Sequence, residues 1–199
     1  SWGGGSLSPL RPIVTGEKQV KKEIISVGKK LYSLRLVAAH AGNLSARLDK
    51  NTILVTATGA SLGGLSDEDI IKVDLTNQHE LQNKRLTTEF PLHSLIYRNF
   101  SNQVVIHCHP ALINGYFSVY SGISALTFET KLYLGNVPVI EQDTPSVTKP
   151  ELVIEALKQN NLVVLRHHGV VSIGDNFQTA LNLIETLEEA VKSIAVARL

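Results

Sequence analysis

Residues 104–110 read Val104-Val105-Ile106-His107-Cys108-His109-Pro110, and the rest of the chain is organised around them. A run of β-branched residues closed by a proline reads as a buried strand, ending where the proline ring removes a backbone donor. Side chains at i and i+2 of a strand share a face. His107 and His109 therefore project together from the strand end, and Cys108 points the other way. Each imidazole offers a nitrogen lone pair near neutral pH without losing a proton, which suits a zinc-class metal. Two strand histidines that hydrogen-bond within the fold give the same spacing, so the reading turns on a third ligand.

A second apolar strand, Leu162 to Arg166, runs into His167-His168-Gly169, and Val170 to Ile173 reads as a further strand beyond it. The glycine lets the backbone turn sharply beside a ligand. One histidine of this pair can complete a three-histidine site with an open coordination position, the pattern of catalytic zinc. The other is then a supporting or structural residue.

Glu89 stands in Thr87-Thr88-Glu89-Phe90 at a helix start. A carboxylate there complements the helix dipole. Beside a divalent cation it is also placed to act as an extra ligand, or to move a proton to or from a carbon that the cation acidifies. Three turns, Gly42-Asn43, Thr58-Gly59 and Thr87-Thr88, carry hydroxyls and free backbone N–H groups that suit a phosphate. Each alone is an ordinary turn or cap, and none is a Walker loop or a G-x-G-x-x-G. Arg85 and Arg166 read as solvated charges.

The 199 residues are 43% hydrophobic and 19% charged with a net charge of +1, an ordinary globular composition with mixed charges. No basic face argues for nucleic acid. No apolar run approaches the roughly 18 residues of a membrane span, so no membrane partner and a cytoplasmic location are expected. A single cysteine excludes an internal disulfide and a Cys-rich zinc site, and points to a reducing compartment. Residues 1–16 begin Ser1-Trp2-Gly3-Gly4-Gly5-Ser6, without the apolar core of a signal peptide, and read as a flexible segment or added residues. One domain is expected over 17–199.

Apolar residues at spacings of three and four predict helices over Glu17 to about His40, from Thr87 or Thr88 as cap to Phe100, over Pro110 to about Tyr120, Val147 to Asn160, and Phe177 to the end. Leu44–Leu48 and Thr52–Thr56 predict a hairpin. Ile71–Leu75 and Val137–Glu141 predict further strands. Residues 121–135 carry no assignable period.

In this order, Gly42-Asn43-Leu44-Ser45, Thr56-Ala57-Thr58-Gly59, Thr87-Thr88-Glu89, His107-Cys108-His109 and His167-His168-Gly169 resemble the class II aldolase/adducin family over nearly the whole chain. The likeness is greatest to its zinc-dependent aldolases that cleave ketose 1-phosphates such as L-fuculose 1-phosphate. The resemblance implies an α/β fold, an αβα three-layer sandwich around a mainly antiparallel sheet, in a homotetramer with active sites at subunit interfaces. It implies Zn2+, or another divalent metal, on His107, His109 and His168. It makes Glu89 catalytic and assigns the substrate phosphate to Gly42, Asn43, Thr58, Gly59, Thr87 and Thr88. Family members commonly carry serines where Thr87 and Thr88 stand, and threonine keeps the hydroxyl. Tyr116, Tyr120 and Tyr133 are candidates for the tyrosine acid these aldolases use. Other family activities implied are methylthioribulose-1-phosphate dehydration and ribulose-5-phosphate 4-epimerisation, the epimerases tending to carry aspartate where Glu89 stands. An adducin-like scaffold without chemistry is the remaining alternative, and such domains lose the metal ligands that are present here.

Overall fold

The computed structural model describes residues 16–198. The expectation for residues 1–16 lies outside that range except at Gly16, whose carbonyl accepts the Gln19 and Val20 N–H groups as the first helix begins.

Among the described residues seven strands form one sheet: β1 (Asn43–Arg47), β2 (Thr52–Thr56), β3 (Ile70–Asp74), β4 (Val104–Cys108), β5 (Val139–Ile140), β6 (Leu162–Leu165) and β7 (Gly169–Gly174). Their spatial order is β3-β2-β1-β4-β7-β6-β5. Every neighbouring pair is antiparallel except β5 and β6. Among the described residues six α-helices cover the sheet: α1 (Glu17–Ser33), α2 (Phe90–Asn99), α3 (Ala111–Val119), α4 (Phe128–Leu134), α5 (Pro150–Leu157) and α6 (Phe177–Ala197).

Strand alternation assigns each residue to a face. Leu44, Leu54, Ile106, Cys108, Val164 and Val170 pack with α1, α3 and α6 on one side. Val55, Val105, Val163 and Val171 pack with α2 and α5 on the other. This is the expected three-layer αβα arrangement. Burying each such aliphatic side chain contributes about 1.5–3 kcal/mol. A one-residue slip of any central strand would exchange its two faces, so the cores fix the register.

The helix expected over Val147–Asn160 spans only Pro150–Leu157 and the strand expected over Val137–Glu141 only Val139–Ile140, and three further departures from the sequence pattern have a local reason. Helix α1 stops at Ser33 rather than near His40. Arg35 takes a left-handed conformation at φ 59°, and the Leu36 and Arg35 N–H groups donate back to the Leu31 and Tyr32 carbonyls. That is a Schellman termination with arginine in the position usually held by glycine, so no glycine marks it. Both Leu31 and Leu36 are buried there. Helix α2 starts on Glu89 as its cap, not on a threonine. The Thr87 hydroxyl accepts the Glu89 N–H at 3.3 Å, which makes a tight turn ahead of the helix. Over 121–135, α4 forms with Thr127 accepting the Thr130 N–H at 3.2 Å. Its Phe128, Leu132 and Tyr133 are exposed, which leaves no inward apolar stripe to read. Among the described residues no helix is long and apolar enough to cross a membrane.

Candidate metal and substrate site

The central strands end together, and their ends carry the histidines. In β4, His107 lies on the α2 face, across from Asn43 of β1 and Val171 of β7. His109 follows the strand. The β6–β7 turn brings in the third ring: His167 is left-handed at φ 59° and exposed, and His168 turns back and is buried. The ring centroids of His107, His109 and His168 lie 4.7 to 4.8 Å apart, each pair edge to face. One ligand atom from each falls within 4.8 Å of the others. Gly169 makes this approach possible. A Cβ there would lie 2.3 Å from the Cys108 carbonyl oxygen and 2.8 Å from His109 Cδ2.

Hydrogen bonds orient the donors. His107 donates from Nδ1 to the Val170 carbonyl at 2.9 Å. The neutral ring then keeps its lone pair on Nε2, which faces His109 Nε2 at 2.9 Å. His168 Nδ1 is buried without a partner. Burial holds the histidines neutral. His107 lies well below the usual range, from burial first and then the neighbouring rings. His109 is lowered by burial, and His168 is lowered to about 4 by burial and by His109. Converging neutral nitrogens, one of them orphaned, fit a divalent metal.

One cavity of about 150 Å³ is lined by all ten residues expected to hold the metal, the proton or the phosphate: the three histidines, Glu89, Gly42, Asn43, Thr58, Gly59, Thr87 and Thr88. Backbone pairing gathers the three turns. Ala57 bridges Leu86, and Thr58 N–H donates to the Arg85 carbonyl at 2.8 Å, which sets the two threonine turns side by side. Gly42 adopts φ +83°, and a Cβ there would lie 2.8 Å from the His107 carbonyl oxygen. Glu89 is 5% exposed. Its carboxylate accepts the Val147 N–H at 3.3 and 3.4 Å, and burial raises its pKa against that hydrogen bond. Tyr116, Tyr120 and Tyr133 do not line the cavity. Arg166 is buried, not solvated, with Nε 2.6 Å from Glu141 and one terminal nitrogen 2.7 Å from the Phe117 carbonyl.

Two residues that the sequence reading passed over belong to the surroundings. His40 lines the cavity mouth. His93 lies beneath the cavity, fully buried, with Nε2 2.5 Å from Asn43 Oδ1. The spacing Glu89, His93, Tyr97 was the available signal, since residues four apart stack on one helix face.

Burial lowers the His93 pKa to about 3. An unfolded chain protonates it near 6.5, so below that pH the unfolded state binds a proton that the folded state refuses. The stability is complete above pH 6.5 and is lost as pH falls toward the folded value, by about 1.4 kcal/mol per pH unit for each such group. The three cavity histidines act in the same direction. Glu89 and Glu188, whose pKa values burial raises, act in the opposite direction, but two carboxyls face four imidazoles. Urea unfolding of the metal-free protein should therefore give a lower stability at pH 5.5 than at pH 7.5. An equal stability at both would exclude a neutral buried cluster.

The family described as Class II Aldolase and Adducin N-terminal domain matches residues 22–194. The chain is 30% identical over 174 residues to an L-fuculose phosphate aldolase of Methanocaldococcus jannaschii, covering 86% of this chain and 93% of that protein. It is 27% identical over 190 residues to a 3-oxo-tetronate 4-phosphate decarboxylase of Pectobacterium atrosepticum, covering 92% and 87%. Among solved structures, the L-fuculose-1-phosphate aldolase from Thermus thermophilus superposes with a TM-score of 0.82 at 28% identity, covering 90% of this chain and 94% of that one. With its sheet, its histidine cluster and a match that runs almost from end to end, the chain belongs to the class II aldolase and adducin N-terminal domain family.

Proposed function

We propose that the protein is a zinc-dependent lyase that reversibly cleaves a ketose 1-phosphate, such as L-fuculose 1-phosphate, into dihydroxyacetone phosphate and an aldehyde. The observation that carries this reading is the shared cavity, in which a buried carboxyl and three neutral imidazoles face three turns suited to a phosphate. His107, His109 and His168 would hold the metal, and a nitrogen-only donor set favours zinc among common divalent ions. Bound there, a divalent metal supplies Lewis-acid stabilisation of charge developing on substrate oxygens. Gly42, Asn43, Thr58, Gly59, Thr87 and Thr88 bind the phosphate through N–H and O–H donors, which orients the adjoining carbons. Glu89, whose pKa burial raises, moves a proton to the carbon freed when C3–C4 breaks, while the C4 hydroxyl gives up its own proton as the aldehyde forms. The enzyme is read as a cytoplasmic homotetramer.

The second reading is decarboxylation of a sugar-acid phosphate, favoured by the Pectobacterium relative. Decarboxylation also leaves negative charge on carbon beside a carbonyl, so the same side chains serve both reactions. The test is metal content of the purified protein, then dihydroxyacetone phosphate release from L-fuculose 1-phosphate with and without chelator. About one zinc per chain and chelator-sensitive release support the aldolase. Zinc with carbon dioxide release from 3-oxo-tetronate 4-phosphate replaces it with the decarboxylase. Protein that takes up no divalent metal overturns both.

A further inference from the structure

We infer that His93 is a positioning residue for the substrate phosphate: it holds the Asn43 side chain so that the cavity meets an amide N–H donor rather than a carbonyl oxygen. This rests on the phosphate reading of the cavity above.

Helix α2 lays Glu89, His93 and Tyr97 along one stripe over the sheet, each four residues after the last. Beneath them, Asn43 and Ser45 are alternate residues of β1 on the same face. His93 Nε2 lies 2.5 Å from Asn43 Oδ1, and its Nδ1 lies 2.6 Å from Ser45 Oγ. Ser45 Oγ in turn lies 2.9 Å from the Tyr97 hydroxyl. His93, Ser45 and Tyr97 are buried, with no solvent to reorient them.

The orientation of Asn43, with Oδ1 toward His93, sets the proton pattern in this row. Burial keeps His93 neutral, with a single N–H. Asn43 Oδ1 only accepts, so that N–H is on Nε2. Nδ1 is then an acceptor and takes the Ser45 proton. Tyr97, which burial keeps protonated, closes the row beside the Ser45 hydroxyl. With Oδ1 turned to His93, the Asn43 amide nitrogen is left over. It hydrogen-bonds nothing among the described residues and is not sealed from solvent, and Asn43 lines the cavity. The opposite arrangement would turn the amide over and present its oxygen to the phosphate, acceptor against acceptor. The tautomer of a buried histidine thus selects the polarity of one wall of the site.

The test is calorimetric binding of inorganic phosphate to the metal-loaded protein, with metal content measured alongside. His93→Leu should weaken phosphate binding by about 10-fold or more and leave metal content unchanged, as expected for losing one hydrogen bond to a charged group. His93→Gln keeps a donor for Asn43 Oδ1 and should recover part of the loss, which a purely structural role would not give. The double variant Asn43→Ala/His93→Leu should bind no more weakly than Asn43→Ala. If the leucine variant fails to fold, Ser45→Ala, which removes the donor to Nδ1, should weaken binding in the same direction. Wild-type affinity in the leucine variant, or losses that add in the double variant, would overturn the inference alone. Wild-type protein that binds no phosphate would overturn the phosphate reading of the cavity and this inference with it.

Discussion

Glu89→Gln should leave metal and phosphate binding unchanged and lower kcat by about 10²–10⁴-fold, the usual contribution of a positioned proton carrier. Glutamine keeps the size of the side chain and can still accept the Val147 N–H, so the helix start and the loop against it stay in place. What it loses is the exchangeable proton. Burial favours the protonated carboxyl of Glu89, which is the form needed to donate to carbon. Steady-state kinetics together with elemental analysis for metal check this. A variant with full turnover would remove Glu89 from the chemistry and leave it as a helix cap whose charge complements the dipole.

His109→Ala should lose the metal and bring turnover to background. Only two rings of the cluster then remain, and His107 and His168 alone make a poor site for a divalent ion that prefers four ligands. Removing even an outer partner of a ligand typically costs about 10–100-fold in affinity, and removing a ligand itself costs more. His109 is the member least embedded in the sheet: it lies past the end of β4 and is half-buried, whereas His107 is 1% exposed. Its truncation is therefore the variant of the three most compatible with a folded chain. Metal content after dialysis and circular dichroism of the same sample give the answer. A folded variant that keeps one metal per chain would exclude His109 as a ligand.

The sequence by itself determined the framework. The apolar run before His107 reads as a strand, and the i, i+2 rule alone places His107 and His109 on one face. The second apolar strand before His168 was equally plain, as were the capped turns at Gly42-Asn43, Thr58-Gly59 and Thr87-Thr88. These are local features, written in neighbouring residues.

Where those pieces meet was decided by tertiary structure. The separation between His109 and His168 is closed by β4–β7 pairing, which depends on two hydrophobic cores filling both faces of the sheet. That His168 rather than His167 faces the cavity follows from the left-handed conformation of His167 and from the room left by Gly169. The end of α1 was hidden because an arginine took the left-handed position of a glycine. His93 gave no motif at all: an isolated histidine on an apolar helix face acquires meaning only when Asn43 and Ser45 of another strand come within hydrogen-bond distance. Periodicity records which way a side chain points. The partner it reaches across some fifty residues of chain is fixed only when the cores close.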